Sequence, residues 1–177
     1  MRNIYLTGFM GSGKSAVGAR LAARLGRPYR DLDATIVAGA GMTIPAIFAQ
    51  EGEAAFRRRE ADALRRVAAE GGQVVATGGG IVADAANREV MRASGWIVCL
   101  EARPETLYAR VRAQAGEDDL HSARPLLAAP DPLARIRDLK ASRQPAYADA
   151  DWTVHTDGLG VDEVADEVAR AVARLER

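Results

Sequence analysis

Gly8 to Ser15 reads GFMGSGKS, and this octapeptide decides the fold. It matches G-x-x-x-x-G-K-[ST], in which glycines let a loop backbone wrap phosphate oxygens with its N–H groups turned inward. NIYLT before it reads as a short buried strand, and KSAVGARLAARLG after it carries apolar residues at helical spacing with Gly26 as a C-cap. Strand, glycine loop and helix are the context in which the motif acts as a P-loop. Gly11, Ser12, Gly13, Lys14, Ser15 and Ala16 are therefore the expected ATP-binding residues. Lys14 would reach the β- and γ-phosphates, and the Ser15 hydroxyl would ligate Mg²⁺. The competing reading is a glycine-rich turn with an incidental lysine, but the chain holds only two lysines, Lys14 and Lys140.

Working outward, the second strand is PYRDLD, followed by two short helices over DATIVAGAG and TIPAIFAQEG and a longer amphipathic helix, EAAFRRREADALRRVAAEGG. The strand QVVATGGG, the helix DAANREVMRAS and the strand WIVCLE come next. PETLYARVRAQAG reads as a helix, EDDLHSARPLLAAPDP as a polar irregular segment, and LARIRDLKASRQPAYADA as helix. DWTVHT is the last strand and VDEVADEVARAVARLER the last helix. Strands alternating with helices imply a parallel sheet covered on both faces, hence α/β. There is no repeat or domain-splitting linker, so residues 1–177 form a single domain.

The composition narrows the partners. Twenty-four basic and 24 acidic residues cancel, leaving no charge signature for nucleic acid or an anionic membrane. One cysteine, Cys99, excludes an internal disulfide and a cysteine-based metal cluster. No apolar run reaches membrane-span length, and the start turns glycine-rich too early for a secretory signal. The expected location is the cytoplasm. A guanine-reading N-K-x-D is impossible with asparagine only at positions 3 and 87, and an L-S-G-G-Q signature is missing. What remains is a compact transferase moving a phosphoryl group to a small acceptor, or a nucleotide-binding module that has lost catalysis.

Three features point to the acceptor. Asp31 and Asp33 stand at the C-terminal end of a strand, where open α/β sheets bind ligands; i and i+2 would place them on one strand face. The competing reading is a solvated turn with a helix cap, since Asp and Thr suit both. FRRRE (Phe56 to Glu60) lies on the long helix, where adjacent residues do not share a face, so only one of the three arginines can point fully inward. TGGG (Thr77 to Gly80) follows a strand, and three glycines there suit close backbone approach or positive φ.

GFMGSGKS, DLD, FRRRE, GGG, RPLL and R-x-P-x-Y, in this order, resemble shikimate kinase over essentially the whole chain. The resemblance implies a three-layer α/β/α fold of the nucleoside-monophosphate-kinase type, with a five-stranded parallel sheet and a mobile lid at about 113–130. It implies transfer of the γ-phosphoryl of MgATP to the 3-hydroxyl of shikimate by what is expected to be a monomer. Carried over by residue, Lys14, Asp33 and Arg124 are catalytic. Arg124 in RPLL would also fold over the ATP phosphates. Asp33, Arg57, Gly78, Gly79, Gly80 and Arg143 would hold shikimate, with the two arginines on its carboxylate. Ser15, and Asp31 through water, would hold Mg²⁺. Two segments depart from the family: GEDDLHSA before RPLL is acidic, leaving Arg112 as a candidate basic partner there, and HTDGLG after the last strand lacks an arginine beside the expected adenine. A kinase for another small hydroxy acid, such as gluconate, is the runner-up.

Overall fold

A computed structural model of the chain describes residues 1–115, 127 and 129–177. The lid at about 113–130 therefore falls largely outside the described residues, as do Arg124 and the acidic run 117–119.

The hydrogen-bonded strands are β1 (Asn3–Thr7), β2 (Tyr29–Asp31), β3 (Val74–Ala76), β4 (Gly95–Glu101) and β5 (Trp152–His155). They form one parallel sheet in the order β2-β3-β1-β4-β5. The helices are α1 (Lys14–Leu25), α2 (Leu32–Ala40), α3 (Ile44–Glu51), α4 (Glu53–Glu70), α5 (Ala85–Ser94), α6 (Pro104–Ala115), α7 (Pro132–Ala148) and α8 (Val161–Leu175). A short 3₁₀ turn, Ile81–Ala83, follows β3 and is an element the sequence reading lacked.

β1 and β4 read as unbroken apolar runs because both of their faces are covered. Tyr5, Ile97 and Cys99 pack into one core with α4, α5, α6 and α7, through residues such as Leu64, Met91, Leu107 and Ile136. Their neighbours Ile4, Leu6, Val98 and Leu100 pack into the other, against Val17 and Leu21 of α1 and Val164, Val168 and Val172 of α8. This alternation at period two produces the three layers. Cys99 is fully buried as a small core residue, and burial pushes its thiol up to about 11. Leu127, from RPLL, is buried in the first core.

Connections follow local chemistry. Gly26 and Gly41 end α1 and α2 in the left-handed conformation. Thr43, Asp84 and Asp131 cap α3, α5 and α7 through their side-chain oxygens. β2 is shorter than PYRDLD predicts. It stops at Asp31, whose Oδ1 accepts the N–H of Asp33 (3.0 Å) and of Ala34 (3.2 Å) and so starts α2. Asp31 and Asp33 therefore do not share a strand face: one caps the helix and the other sits in its first turn. Helix capping satisfies two N–H groups that an edge strand would leave to solvent. Among the described residues, no single helix is long and apolar enough to cross a membrane.

Candidate functional site

β1 is the central strand; the chain runs from it to β2 and back to β3 on one side, then crosses to β4 and β5 on the other, so the crevice at the C-terminal end of β1 is the topological switch point. The glycine loop starts there. Gly8, Gly11 and Gly13 all have positive φ (131°, 78° and 96°), a conformation that side chains disfavour. Gly11 also lies so close to α6 that a Cβ would come within 2.8 Å of Val111 Cγ2. Gly13 begins α1 without a side-chain cap, which leaves the first-turn N–H groups turned toward the loop. Lys14 Nζ reaches across, donating to the carbonyls of Gly8 and Phe9, each at 2.9 Å.

Ser15 and Asp31 meet beside this loop. Ser15 Oγ donates to Asp31 Oδ2 at 2.7 Å. The Tyr29 hydroxyl lies 3.3 Å from the same Oδ2 and 3.1 Å from the Ser15 carbonyl. Burial, reinforced by the charge of Asp31, pushes the Tyr29 phenol up to about 12, so it is a neutral donor at physiological pH. A hydroxyl and a carboxylate side by side are the oxygen donors a hard divalent cation takes. Among the described residues no group of three or more His, Cys, Asp or Glu forms a metal site, and this two-donor set suits a cation that keeps water and phosphate oxygens as its remaining ligands.

A cavity of about 470 Å³ adjoins the loop, within the size range of small-molecule pockets. One half is polar, lined by Asp33, Arg57, Glu60, Gly78 to Gly80 and Arg143. The other is apolar, with Met10, Val37, Ile44, Pro45, Phe48 and Phe56. Of the three consecutive arginines only Arg57 enters. Arg58 is exposed, and Arg59 turns away to pair with Glu51 at 2.9 Å. Arg57 is anchored one helical turn on by Glu60, Nη1 to Oε2 at 2.8 Å, with Glu53 on its outer side at 3.2 Å. Glu60 is 1% exposed, and burial drives its carboxyl above the ordinary glutamate range against the opposing pull of Arg57. Its Oε1 makes no hydrogen bond among the described residues.

The three glycines owe their identity to close approach. None has positive φ. A Cβ on Gly78 would lie 2.4 Å from Glu60 Oε1 and 3.2 Å from Asp33 Oδ1, and one on Gly80 would lie 2.7 Å from both terminal nitrogens of Arg57. Gly79 abuts the phosphate loop, with a notional Cβ 3.3 Å from Met10 N and 3.4 Å from Gly8 O. Its carbonyl accepts from the Tyr147 hydroxyl at 2.6 Å and from Arg143 Nη1 at 3.4 Å. Arg143 also faces the ring of Phe9 at 5.8 Å.

The structure thus brings together Lys14, Ser15, Asp31, Asp33, Arg57, Gly78 to Gly80 and Arg143. Glu60 belongs with them, signalled by its i+3 spacing from Arg57. Tyr29, Tyr147 and Phe9 are contributors to which the sequence alone gives no role, although Tyr147 ends the R-x-P-x-Y motif, because their contacts join distant segments. The loop after β5 acquires an arginine from another element: Arg110 of α6 donates to Thr156 Oγ1 at 2.9 Å and to its carbonyl at 2.7 Å. Arg112 stands over the Tyr108 ring at 5.7 Å. His155 is exposed on β5.

Comparison with known proteins points to one family. The family model for shikimate kinase matches residues 10–173. A shikimate kinase of Symbiobacterium thermophilum is 52% identical over 167 residues, covering 94% of this chain and 93% of its own. A solved structure of a shikimate kinase from Acinetobacter baumannii, in complex with shikimate, superposes with a TM-score of 0.90 at 36% identity, over 98% of this chain and 94% of the other. A gluconokinase from Sinorhizobium meliloti, at 19% identity and a TM-score of 0.59 over 98% of this chain and 93% of its own, shares the fold alone.

Proposed function

The chain belongs to the shikimate kinase family, and on that premise we propose that its two-part crevice transfers the γ-phosphoryl group of MgATP to the 3-hydroxyl of shikimate, giving shikimate 3-phosphate and ADP. The observation that carries this reading is the shared wall between the two halves. Gly79 lies against Gly8 and Met10 of the phosphate loop, where a Cβ would be in contact with both, and its carbonyl is held by Arg143 and Tyr147. A hydroxyl held against that wall lies next to the phosphates bound by the loop.

Arg57 and Arg143 suit a planar carboxylate, which two guanidinium groups hold through charge-assisted hydrogen bonds. Glu60 keeps Arg57 in place and, with Gly78 and Gly80, shapes the wall. Asp33, at the start of α2, orients the acceptor hydroxyl and takes its proton as the new P–O bond forms. Lys14, with the loop N–H groups, stabilises charge developing on the transferred group, joined by Arg124, which the family pattern assigns to the lid. Phosphoryl transfer needs placement and charge neutralisation more than covalent help. Magnesium, when bound, neutralises charge on the β- and γ-phosphates. The Ser15 hydroxyl, and Asp31 through water, would hold it. We take the protein to act as a cytoplasmic monomer with no nucleic acid or membrane partner.

The test is ADP release coupled to a spectrophotometric assay, with shikimate, quinate and gluconate offered in turn. Turnover dependent on shikimate and MgATP supports the reading, and its absence refutes it. Preferential turnover of gluconate would favour the runner-up.

A further inference from the structure

Tyr29 opens β2, the edge strand of the sheet, and its ring lies across α1 at Gly18. A Cβ at Gly18 would come within 2.7 Å of Tyr29 Cε2. A glycine inside a helix costs about 1 kcal/mol relative to alanine, and here it opens the space through which the ring passes. The hydroxyl then reaches the previous turn of α1, where Ser15 sits three residues before Gly18 on the same face.

Both acceptors of that hydroxyl are on the two residues of the expected cation site, and one of them is itself an expected oxygen donor to the cation. They are the Ser15 carbonyl at 3.1 Å and Asp31 Oδ2 at 3.3 Å, the oxygen that also accepts from Ser15 Oγ at 2.7 Å. The other oxygen of Asp31 is occupied by the N–H groups of Asp33 and Ala34. The carboxylate is thus held on one side by the start of α2 and on the other by Ser15 and Tyr29. Phenylalanine would fill the space beside Gly18 equally well, so packing alone does not require the hydroxyl.

We propose that the Tyr29 hydroxyl is a positioning group for the cation-binding pair, setting the orientation of the Asp31 carboxylate against Ser15, with Gly18 as the gap that admits it. The proposal rests on the MgATP reading given above. Through the Asp31–Asp33 hydrogen bond the same carboxylate ties the cation site to the first turn that carries the acceptor's aspartate.

The test compares wild type with Tyr29→Phe and Gly18→Ala by three measurements: Mg²⁺ titration of activity at fixed ATP and saturating shikimate, Mn²⁺ affinity of the ADP complex by electron paramagnetic resonance, and melting temperature without nucleotide. Tyr29→Phe should raise the half-saturating Mg²⁺ concentration and weaken Mn²⁺ binding by the same factor, about three- to tenfold, the effect of one ordinary hydrogen bond, since the single hydroxyl proton is shared between two acceptors at 3.1 and 3.3 Å. The shikimate KM at saturating Mg²⁺ should stay within about twofold of wild type on this account. Gly18→Ala, which pushes the ring aside, should shift the cation dependence in the same direction. Unchanged Mg²⁺ and Mn²⁺ dependence in Tyr29→Phe overturns the proposal while leaving the MgATP reading intact. So does a general loss, with shikimate KM, cation affinity and melting temperature all impaired. Wild-type turnover independent of any divalent cation overturns both.

Discussion

On the proposed function Asp33, Arg57 and Gly80 divide the acceptor's chemistry, and each has its own expected signature. Asp33→Asn keeps the shape of the first turn of α2 but removes the proton acceptor. Turnover should fall by about 100-fold or more, the usual contribution of a positioned base, with the melting temperature nearly unchanged; a large loss of stability with normal kcat would contradict this. Arg57→Ala should raise the shikimate KM by about 10- to 100-fold, in keeping with the loss of charge-assisted hydrogen bonds, while the ATP KM moves little. Loss of ATP binding with an intact acceptor site would show the pocket to be misassigned. Gly80→Ala should mimic Arg57→Ala in milder form, because the added methyl meets the guanidinium 2.7 Å away. Steady-state kinetics with each substrate varied separately would check all three.

The elements act as mounts for these residues, and α7 shows how. Lys140, Arg143 and Tyr147 fall on one side of this helix by their spacing of three and four. Lys140 forms an ion pair with Glu101 at the end of β4, with side chains only 14% and 13% exposed, and also donates to Gln144 at 3.1 Å. A second pair, Arg137 with Glu105 at 2.7 Å, joins α7 to α6 at the surface. The Lys140 pair seats α7 so that Arg143 and Tyr147 reach Gly79. Lys140→Met leaves Glu101 without its cation and should cost about 3 kcal/mol in urea unfolding, the low end for breaking a buried pair. The double variant with Glu101→Leu should recover most of that loss. Additive losses in the double variant would show that the two side chains act independently.

At the scale of the whole molecule, the buried Glu60 links stability to pH. Burial holds its carboxyl above the ordinary glutamate range in the folded state, although Arg57 opposes this; Asp33 reinforces the rise and Arg143 opposes it further. Between the ordinary value and the raised one, the native protein carries a proton that the unfolded chain has released. Stability therefore declines as pH rises across that window and levels off above it. Glu60→Gln cannot titrate, so its melting temperature should lack this decline. Melting curves from about pH 4 to pH 8, spanning the carboxylate range, would decide. Parallel profiles for the two proteins would refute the assignment.

Local patterns carried a large part of this protein's description. The octapeptide GFMGSGKS, the strand before it and the helix after it are contiguous, so its backbone demands are written into neighbouring residues. The alternation of strands and helices likewise needs only periodicity and turn residues, and it specified the α/β class. Other decisions needed distant segments to meet. Which of three consecutive arginines turns inward depends on Glu60, on Glu51 and on the wall built by Gly78 to Gly80. Those glycines looked equally suited to positive φ, and only their neighbours show that side-chain clearance is the reason. The pair in YRDLD read as two residues on one strand face; the competition between strand and cap was settled by the N–H groups of Asp33 and Ala34, which Asp31 satisfies at once. Sequence alone determined where the phosphate loop lies and what class of fold carries it, because those are short-range constraints. The acceptor site's walls and anchors were decided by tertiary structure, because they are contacts between groups far apart in the chain.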